Sequence, residues 1–319
     1  MNTEQTDTPE LIPDTPANDN LIEPSPAENR VVKYPSMILD MPSAEYHARP
    51  EISSHDLGRI LEAPAKYLHG KTHPREATPA MRLGTLTHLA VLEPELFADS
   101  VVVMPDDAPN RPSSRQRFAK KPSPDTVAAC LWWDEFERET IGKDIIDADE
   151  LALLFAMRDA VNAHPAASML LSKIESTEAS VFWIDEQTGV RCRMRTDALA
   201  PSLKLIIDLK TGVDVSPDGF ARAVANFGYH RQASVYIDGM RAVTGDDYRM
   251  AFVGVEKDAP HLVAVYVLSD AAVEQGRQEI RGGLATAARC IETGEWPGYS
   301  PQVVALDLPR WAQNMPVDA

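Results

Sequence analysis

Residues 197–211 read DALAPSLKLIIDLKT and place two acids around a short apolar run. The run predicts a buried strand that carries Asp208-Leu209-Lys210, while Asp197 ends the strand before it. Because strand side chains alternate between faces, Asp208 and Lys210 share one face and Leu209 points to the other. A short connection returns the chain beside Asp197, so two carboxylates and an ammonium can meet at one sheet edge.

This combination of charges is typical of a metal-dependent hydrolytic site. Paired carboxylates suit the hard cation Mg²⁺, whose remaining ligands are water and phosphate oxygens. A lysine beside them can stabilise negative charge or orient the attacking water. The alternative is a solvent-exposed Asp-x-Lys ion pair at a strand end, and for this motif taken alone that alternative is favoured.

Four further residues lie where they can join this sheet edge. His88 falls on an apolar helix predicted over residues 79–93. It is either a neutral imidazole ligand of a metal ion or a histidine of the hydrophobic core. Glu178 lies at the start of a predicted strand. It is either an additional acid of the site or an acid on the protein surface. Gln232 and Tyr236 share one helix face, where they can hold a phosphate or a base, or form a partly buried pair.

The surrounding pattern predicts a mixed α/β fold, with helices before residue 165 and strands alternating with helices after it. Residues 1–30 contain seven acids, one base and five prolines, which predicts a disordered acidic tail. Residues 31–319 are expected to form one domain with a variable loop at about 104–148. Predicted elements include a hairpin with strands 179–184 and 190–197, a strand 203–209, and a helix 270–293.

Four ordered motifs resemble the PD-(D/E)xK nucleases of the RecB type. The match is closer to the RecE-type (exonuclease VIII) branch of phages and prophages, and it covers about residues 45–300. The first set of motifs is Gly84-x-x-x-His88, Asp197, Asp208-Leu209-Lys210 and Gln232-x-x-x-Tyr236. The stretches shared with the RecE-type branch are residues 46–53, 80–85, 90–94, 207–211 and 294–299.

This resemblance implies a restriction-endonuclease-like core and a Mg²⁺-dependent exonuclease, with Mn²⁺ as a substitute ion. It would digest linear double-stranded DNA in the 5′-to-3′ direction and leave 3′ single-stranded tails for recombination. Related enzymes form a ring of subunits and work beside a single-strand annealing protein. Nucleases of the same fold that act on single strands or cut internally are the first alternative. A non-catalytic module that binds DNA ends or docks the annealing protein is the second.

The resemblance also assigns roles to individual residues. The metal ligands would be His88, Asp197, Asp208 and the Leu209 carbonyl, and Lys210 would assist the attacking water. Catalytic acids would include Asp197, Asp208 and Glu178. Gln232 and Tyr236 would contact the DNA strand near the scissile phosphate.

A phosphate-binding surface is predicted on the strand that leads to the site. Alternation of side chains places four residues on one face of this strand: Arg191, Arg193, Arg195 and Asp197. The three arginines either form a track that binds phosphates or belong to the solvent-exposed face of the sheet. Arg82 would add to this surface. Basic residues also cluster in residues 111–121. This segment is either a loop that binds the DNA duplex or a solvated loop without a ligand.

Net charge and composition exclude several classes of protein. The chain has 31 Lys and Arg against 48 Asp and Glu, a net charge of −17, which at first sight argues against DNA. Part of this charge belongs to residues 1–30 and part to candidate metal ligands. Three dispersed cysteines exclude a disulfide scaffold and a four-cysteine metal site. No apolar run is long enough to span a membrane and no signal sequence is visible, so a cytoplasmic protein is expected.

Overall fold

The structure, a computed structural model, describes residues 31–73 and 76–309. The predicted acidic tail, residues 1–30, lies outside the described residues. The strands are β1 (Ser36–Ile38), β2 (Val101–Val103), β3 (Asp144–Ile146), β4 (Ser176–Thr177), β5 (Ser180–Ile184), β6 (Arg191–Arg195), β7 (Ala198–Ala200), β8 (Leu205–Gly212), β9 (Arg249–Glu256) and β10 (Val263–Val267).

The helices precede, connect and follow these strands. They are α1 (Ser43–Ala48), α2 (Ser54–Glu62), α3 (Pro64–Thr72), α4 (Pro79–Leu92), α5 (Pro94–Ser100), α6 (Ser114–Arg117), α7 (Pro124–Glu139), α8 (Ala148–Ala163), α9 (Pro165–Leu171), α10 (Pro217–Phe227), α11 (Tyr229–Thr244) and α12 (Asp270–Thr293). Within the described part of the chain, no helix is long and apolar enough to cross a bilayer.

The central sheet has the strand order β10-β9-β8-β7-β4, with β8 in the middle. Strand β8 runs antiparallel to β7 at residues 205–207 and parallel to β9 along its whole length. Its apolar residues Ile206, Ile207 and Leu209 are almost completely buried because other elements cover both faces of the sheet. The predicted mixed α/β fold, with a central sheet between helices, is confirmed.

Two hydrophobic layers cover the two faces of this sheet. Ile206 of β8 belongs to the layer that includes α2, α11 and α12. Ile207 and Leu209 belong to the other layer, formed with α4, α8 and α9. The alternation of β8 therefore sends Asp208 and Lys210 toward α11, while α4 approaches the opposite face.

Helix boundaries follow the local signals in the sequence. Ser269 caps α12 by accepting a hydrogen bond from the Ala272 amide, and Gly294 ends it in the left-handed region. Gly228, with a φ of 71°, ends α10 in the left-handed region and separates it from α11. This break turns α11 back across the sheet and brings its first turns to the end of β8.

The predicted strand over residues 190–197 is shorter than expected. Its regular part ends at Arg195, and β7 begins at Ala198 in a different sheet. Strands β1, β5 and β6 form their own antiparallel sheet, so Thr196 and Asp197 lie where the chain crosses between sheets. The predicted variable region at 104–148 contains α6, α7 and β3, and β3 pairs in parallel with β2.

Candidate active site

A buried ion pair lies in the middle of β8. The Asp208 carboxylate is 1% exposed, and the Lys210 Nζ lies 2.6 Å from Asp208 Oδ2. Burial, together with the neighbouring Asp197, raises the pKa of Asp208 to about 6, although Lys210 acts in the opposite direction. Burial acts to lower the pKa of Lys210, but Asp208 and Asp197 outweigh it and the pKa is raised. Lys210 therefore stays a cation near neutral pH.

The amide of Gln232 holds the second oxygen of the same carboxylate. Gln232 Nε2 donates a hydrogen bond of 2.7 Å to Asp208 Oδ1. Gln232 lies in the first turns of α11, so the break at Gly228 determines where this donor is placed. The structure thus brings together Gln232, Asp208 and Lys210, as the sequence motifs predict.

Asp197 and His88 meet at the main chain of Leu209 in β8. Asp197 Oδ2 accepts a hydrogen bond of 2.9 Å from the Leu209 amide. His88 Nδ1 lies 3.4 Å from the same Asp197 oxygen, and its Nε2 lies 2.7 Å from the Leu209 carbonyl oxygen. The imidazole of α4, the carboxylate before β7 and the main chain of β8 therefore converge.

Glu178 lies next to Asp197 but is bound to an arginine. Its amide donates to the Asp197 carbonyl at 3.3 Å, and its Oε2 lies 2.5 Å from Arg195 Nε. Burial raises the pKa of Glu178, with Arg195 opposing and Asp197 reinforcing the shift. Its φ of 54° is in the left-handed region, which costs a non-glycine residue on the order of 1–3 kcal/mol.

The chemistry of this donor set fits a hard divalent cation. Two carboxylates and a main-chain carbonyl supply the oxygen atoms that Mg²⁺ prefers, and His88 adds a nitrogen donor. His88 and Asp197 already lie close together, with 3.4 Å between His88 Nδ1 and Asp197 Oδ2. In residues 31–73 and 76–309, no three His, Cys, Asp or Glu side chains form a ready-made metal cluster. The carbonyl of Leu209 and water would have to complete the ligand shell.

Two arginines of the predicted phosphate track, Arg193 and Arg195, are bound within the protein, whereas Arg191 is exposed. Arg193 is only 5% exposed, donates a hydrogen bond to the Tyr46 carbonyl and lies over the Tyr46 ring. Arg195 donates to the Met41 carbonyl at 2.9 Å, and Arg191 lies over another aromatic ring. The segment before α2 covers this face of β6. Alternation indicates which residues share a face, but it does not show what packs on that face.

Two other predicted DNA contacts have protein partners. The Tyr236 hydroxyl donates to the Arg195 carbonyl at 2.9 Å, and burial raises the pKa of Tyr236 well above its usual value. Arg82 pairs with Glu150 and donates to the Ile145 carbonyl at 2.7 Å, which braces α4 against α8 and β3. Their contact with DNA remains a prediction.

Sequence reasoning missed one aromatic residue at the site. Lys210 Nζ lies 5.0 Å from the ring centroid of Tyr229, within the range of a cation–π contact. Only the packing of α11 on β8 shows which residue Tyr229 faces. The Lys210 ammonium thus contacts the Tyr229 ring as well as the Asp208 carboxylate.

One sequence family and one solved structure agree with this architecture. The sequence profile of a PDDEXK-like domain of unknown function (DUF3799) matches residues 53–308. A proposed exonuclease from Eubacterium rectale has a similar fold, with a TM-score of 0.53 and 11% identity over 88% of this chain and 100% of that chain. A phage-related exonuclease from Haemophilus somnus 129PT gives a TM-score of 0.31 and 10% identity over 77% and 96%. Among curated proteins, none matches the sequence.

Proposed function

The chain belongs to the family of PDDEXK-like domains designated DUF3799, and on that premise we propose that it is a Mg²⁺-dependent exodeoxyribonuclease. It hydrolyses phosphodiester bonds from the ends of linear double-stranded DNA in the 5′-to-3′ direction and leaves 3′ tails for recombination. The observation that carries the proposal is the proximity of Asp197, which lies just before β7 and accepts from the Leu209 amide, to the Asp208–Lys210 pair of β8.

The residues that would hold the ion are Asp197, Asp208, His88 and the Leu209 carbonyl. When bound, Mg²⁺ or its substitute Mn²⁺ lowers the pKa of water and stabilises charge on the phosphate and the leaving oxygen. The protein positions these donors through fixed contacts, since Asp197 is held by the Leu209 amide.

Lys210 acts as a cation and not as a general base. The neighbouring carboxylates raise its pKa, so it carries its proton at the pH of catalysis. Its side chain is 21% exposed, which leaves the ammonium within reach of a bound strand. From this position Nζ donates hydrogen bonds to a phosphate oxygen or to the attacking water and stabilises the developing negative charge.

End-labelled duplexes test the proposed reaction most directly. Linear duplexes labelled at the 5′ or the 3′ end are incubated with and without Mg²⁺, beside nicked and closed-circular DNA. We expect Mg²⁺-dependent release of the 5′ label as short products and an intact closed circle. Cutting of the closed circle would show an internal nuclease, and digestion restricted to single strands would show a different substrate. DNA-end binding without any product would support the non-catalytic alternative.

The proposed assembly is a homo-oligomeric ring that works with a single-strand annealing protein. Resemblance to RecE-type nucleases supports this part of the proposal. Light scattering on the purified protein measures the number of subunits, and a mass of one subunit at micromolar concentration would contradict the ring.

Gln232 provides a prediction about metal binding. Gln232→Met removes the donor to Asp208 Oδ1, so the carboxylate loses its orientation. We expect the Mg²⁺ concentration for half-maximal activity to rise about 10- to 100-fold, as for other residues that orient metal ligands. Gln275→Met is the matched control, because Gln275 also donates to a carboxylate, that of Glu279 on the surface of α12. An unchanged Mg²⁺ titration in Gln232→Met would contradict the positioning role.

A further inference from the structure

A groove of about 330 Å³ opens beside Lys210 at the edge of the candidate active site. One wall is the end of β8 with the turn that follows it, and the other wall is α10 with the start of α11. The groove therefore begins at the reacting centre and continues away from it.

An unusually exposed aromatic ring forms part of the second wall. Phe220, Val224 and Phe227 lie on one face of α10, because they are spaced by four and three residues. Phe220 is 4% exposed and stacks on Tyr266, whereas Phe227 is 70% exposed and lines the groove. The apolar stripe of α10 thus extends beyond the part of the core that covers it. The Phe227 ring lies 5.7 Å from that of Tyr229 at an angle of 32°.

The charged residues of the groove are mainly cationic. Lys210, Arg222 and Lys257 line it, against the single acid Asp214, which pairs with Arg222 at 3.1 Å. Asp208 pairs with Lys210 and Asp214 pairs with Arg222, whereas Lys257 makes no ion pair with any residue that the structure describes. A cation next to an open aromatic ring is complementary to a nucleotide, which combines phosphate with a flat base.

Lys257 lies further along the groove than Lys210. The Lys257 amide donates to the Gly212 carbonyl at 2.9 Å, so its main chain lies beside the residue two positions beyond Lys210 on β8. Both lysines line the groove, so a bound strand can contact one after the other.

We propose that the groove holds one unstacked nucleotide of the strand being cut, adjacent to the scissile phosphate. Its base lies on the Phe227 ring and its outer phosphate lies near Lys257, while Lys210 contacts the scissile phosphate. The inference rests on the proposed nuclease function and adds the form of substrate that the site accepts. A base can leave its stack at a strand end at lower cost than inside a duplex, so the groove favours ends.

A cycle that combines a protein variant with a modified substrate tests this assignment. Phe227→Ala and the wild type are compared on duplexes that carry either a normal nucleotide or an abasic residue at the first or the second position. The rate of the first cleavage is measured under single-turnover conditions. Met169→Ala, which also truncates an exposed apolar side chain but lies on α9, is the control.

We expect base removal and the Phe227→Ala substitution each to slow cleavage, and we expect the two decreases in rate not to add. For one of the two positions, base removal should slow the wild type by about tenfold, as expected for loss of one base–aromatic stack. Phe227→Ala should slow cleavage of the normal duplex by a similar factor and show no further effect of base removal. Phe227→Trp should restore the dependence on the base, and Met169→Ala should behave as the wild type.

Two results would overturn the inference in different ways. If the wild type digests DNA but Phe227→Ala cleaves equally fast, or base removal slows both proteins equally, the groove does not hold the base. If the wild type cuts no DNA with Mg²⁺ or Mn²⁺, the proposed nuclease function itself fails, and the inference fails with it.

Discussion

Asp208→Asn should reduce the digestion of linear duplex DNA by at least about a thousandfold. The substitution keeps the shape of the side chain but removes the charge that faces Lys210 and that would hold the divalent ion. Stabilisation of phosphoryl charge by a metal site contributes several kcal/mol, and about 1.4 kcal/mol corresponds to a factor of ten in rate. Lys210→Met should cause a loss of similar size, because it removes the cation of the same pair.

The matched control is a surface pair with the same geometry. Lys204 Nζ lies 2.6 Å from Asp246 Oδ1, but both side chains are about half exposed. Asp246→Asn should leave the digestion rate unchanged, since exposed ion pairs contribute about 0–1 kcal/mol to stability. Circular dichroism shows whether each variant is folded. A folded Asp208→Asn protein that digests DNA at the wild-type rate would exclude this residue from catalysis.

Gly276→Ala should destabilise the protein strongly through the contact between α11 and α12. A Cβ at this position would lie 2.2 Å from the main-chain oxygen of His230. A backbone atom cannot rotate away, so the helices must separate, and overpacking of this kind costs about 1–3 kcal/mol or more. We expect a lower urea midpoint in equilibrium unfolding. Digestion should also slow, because α11 carries Gln232 against Asp208.

Gly282→Ala on the same helix is expected to have the opposite effect and to increase the stability of the protein. No heavy atom lies within 4 Å of a Cβ built there, and the residue is exposed. Alanine should therefore stabilise α12 by up to about 1 kcal/mol through its higher helix propensity. Equal effects of the two substitutions would contradict the close approach of α12 to His230.

The main elements of the fold could be predicted because their signals are local. Helix α12 begins at a serine cap and ends at a glycine, and both signals lie in its own sequence. Strand β8 was predicted from its apolar run, but its end was not. It extends to Gly212 because β9 continues to pair with it in parallel, and that partner lies about forty residues further along the chain.

The candidate site was predictable to the same degree. Asp208 and Lys210 share a face by alternation alone, and the motif order indicated that Gln232 and His88 belong nearby. The arginines of β6 show the limit of such reasoning. Their alternation is correct, but Arg193 is covered by the segment that contains Tyr46, and no pattern within β6 encodes that contact.

The sequence by itself determined which candidate site residues share a strand face or a helix face. This was possible because strand and helix periodicity depend only on residues that are close together in the chain. The tertiary structure decided which side chains remain accessible. Packing between distant segments buries Arg193, pairs Glu178 with Arg195 and leaves Phe227 open beside Lys210. Burial and partner choice depend on residues far apart in the chain, which is why only the folded protein shows the groove next to its candidate active site.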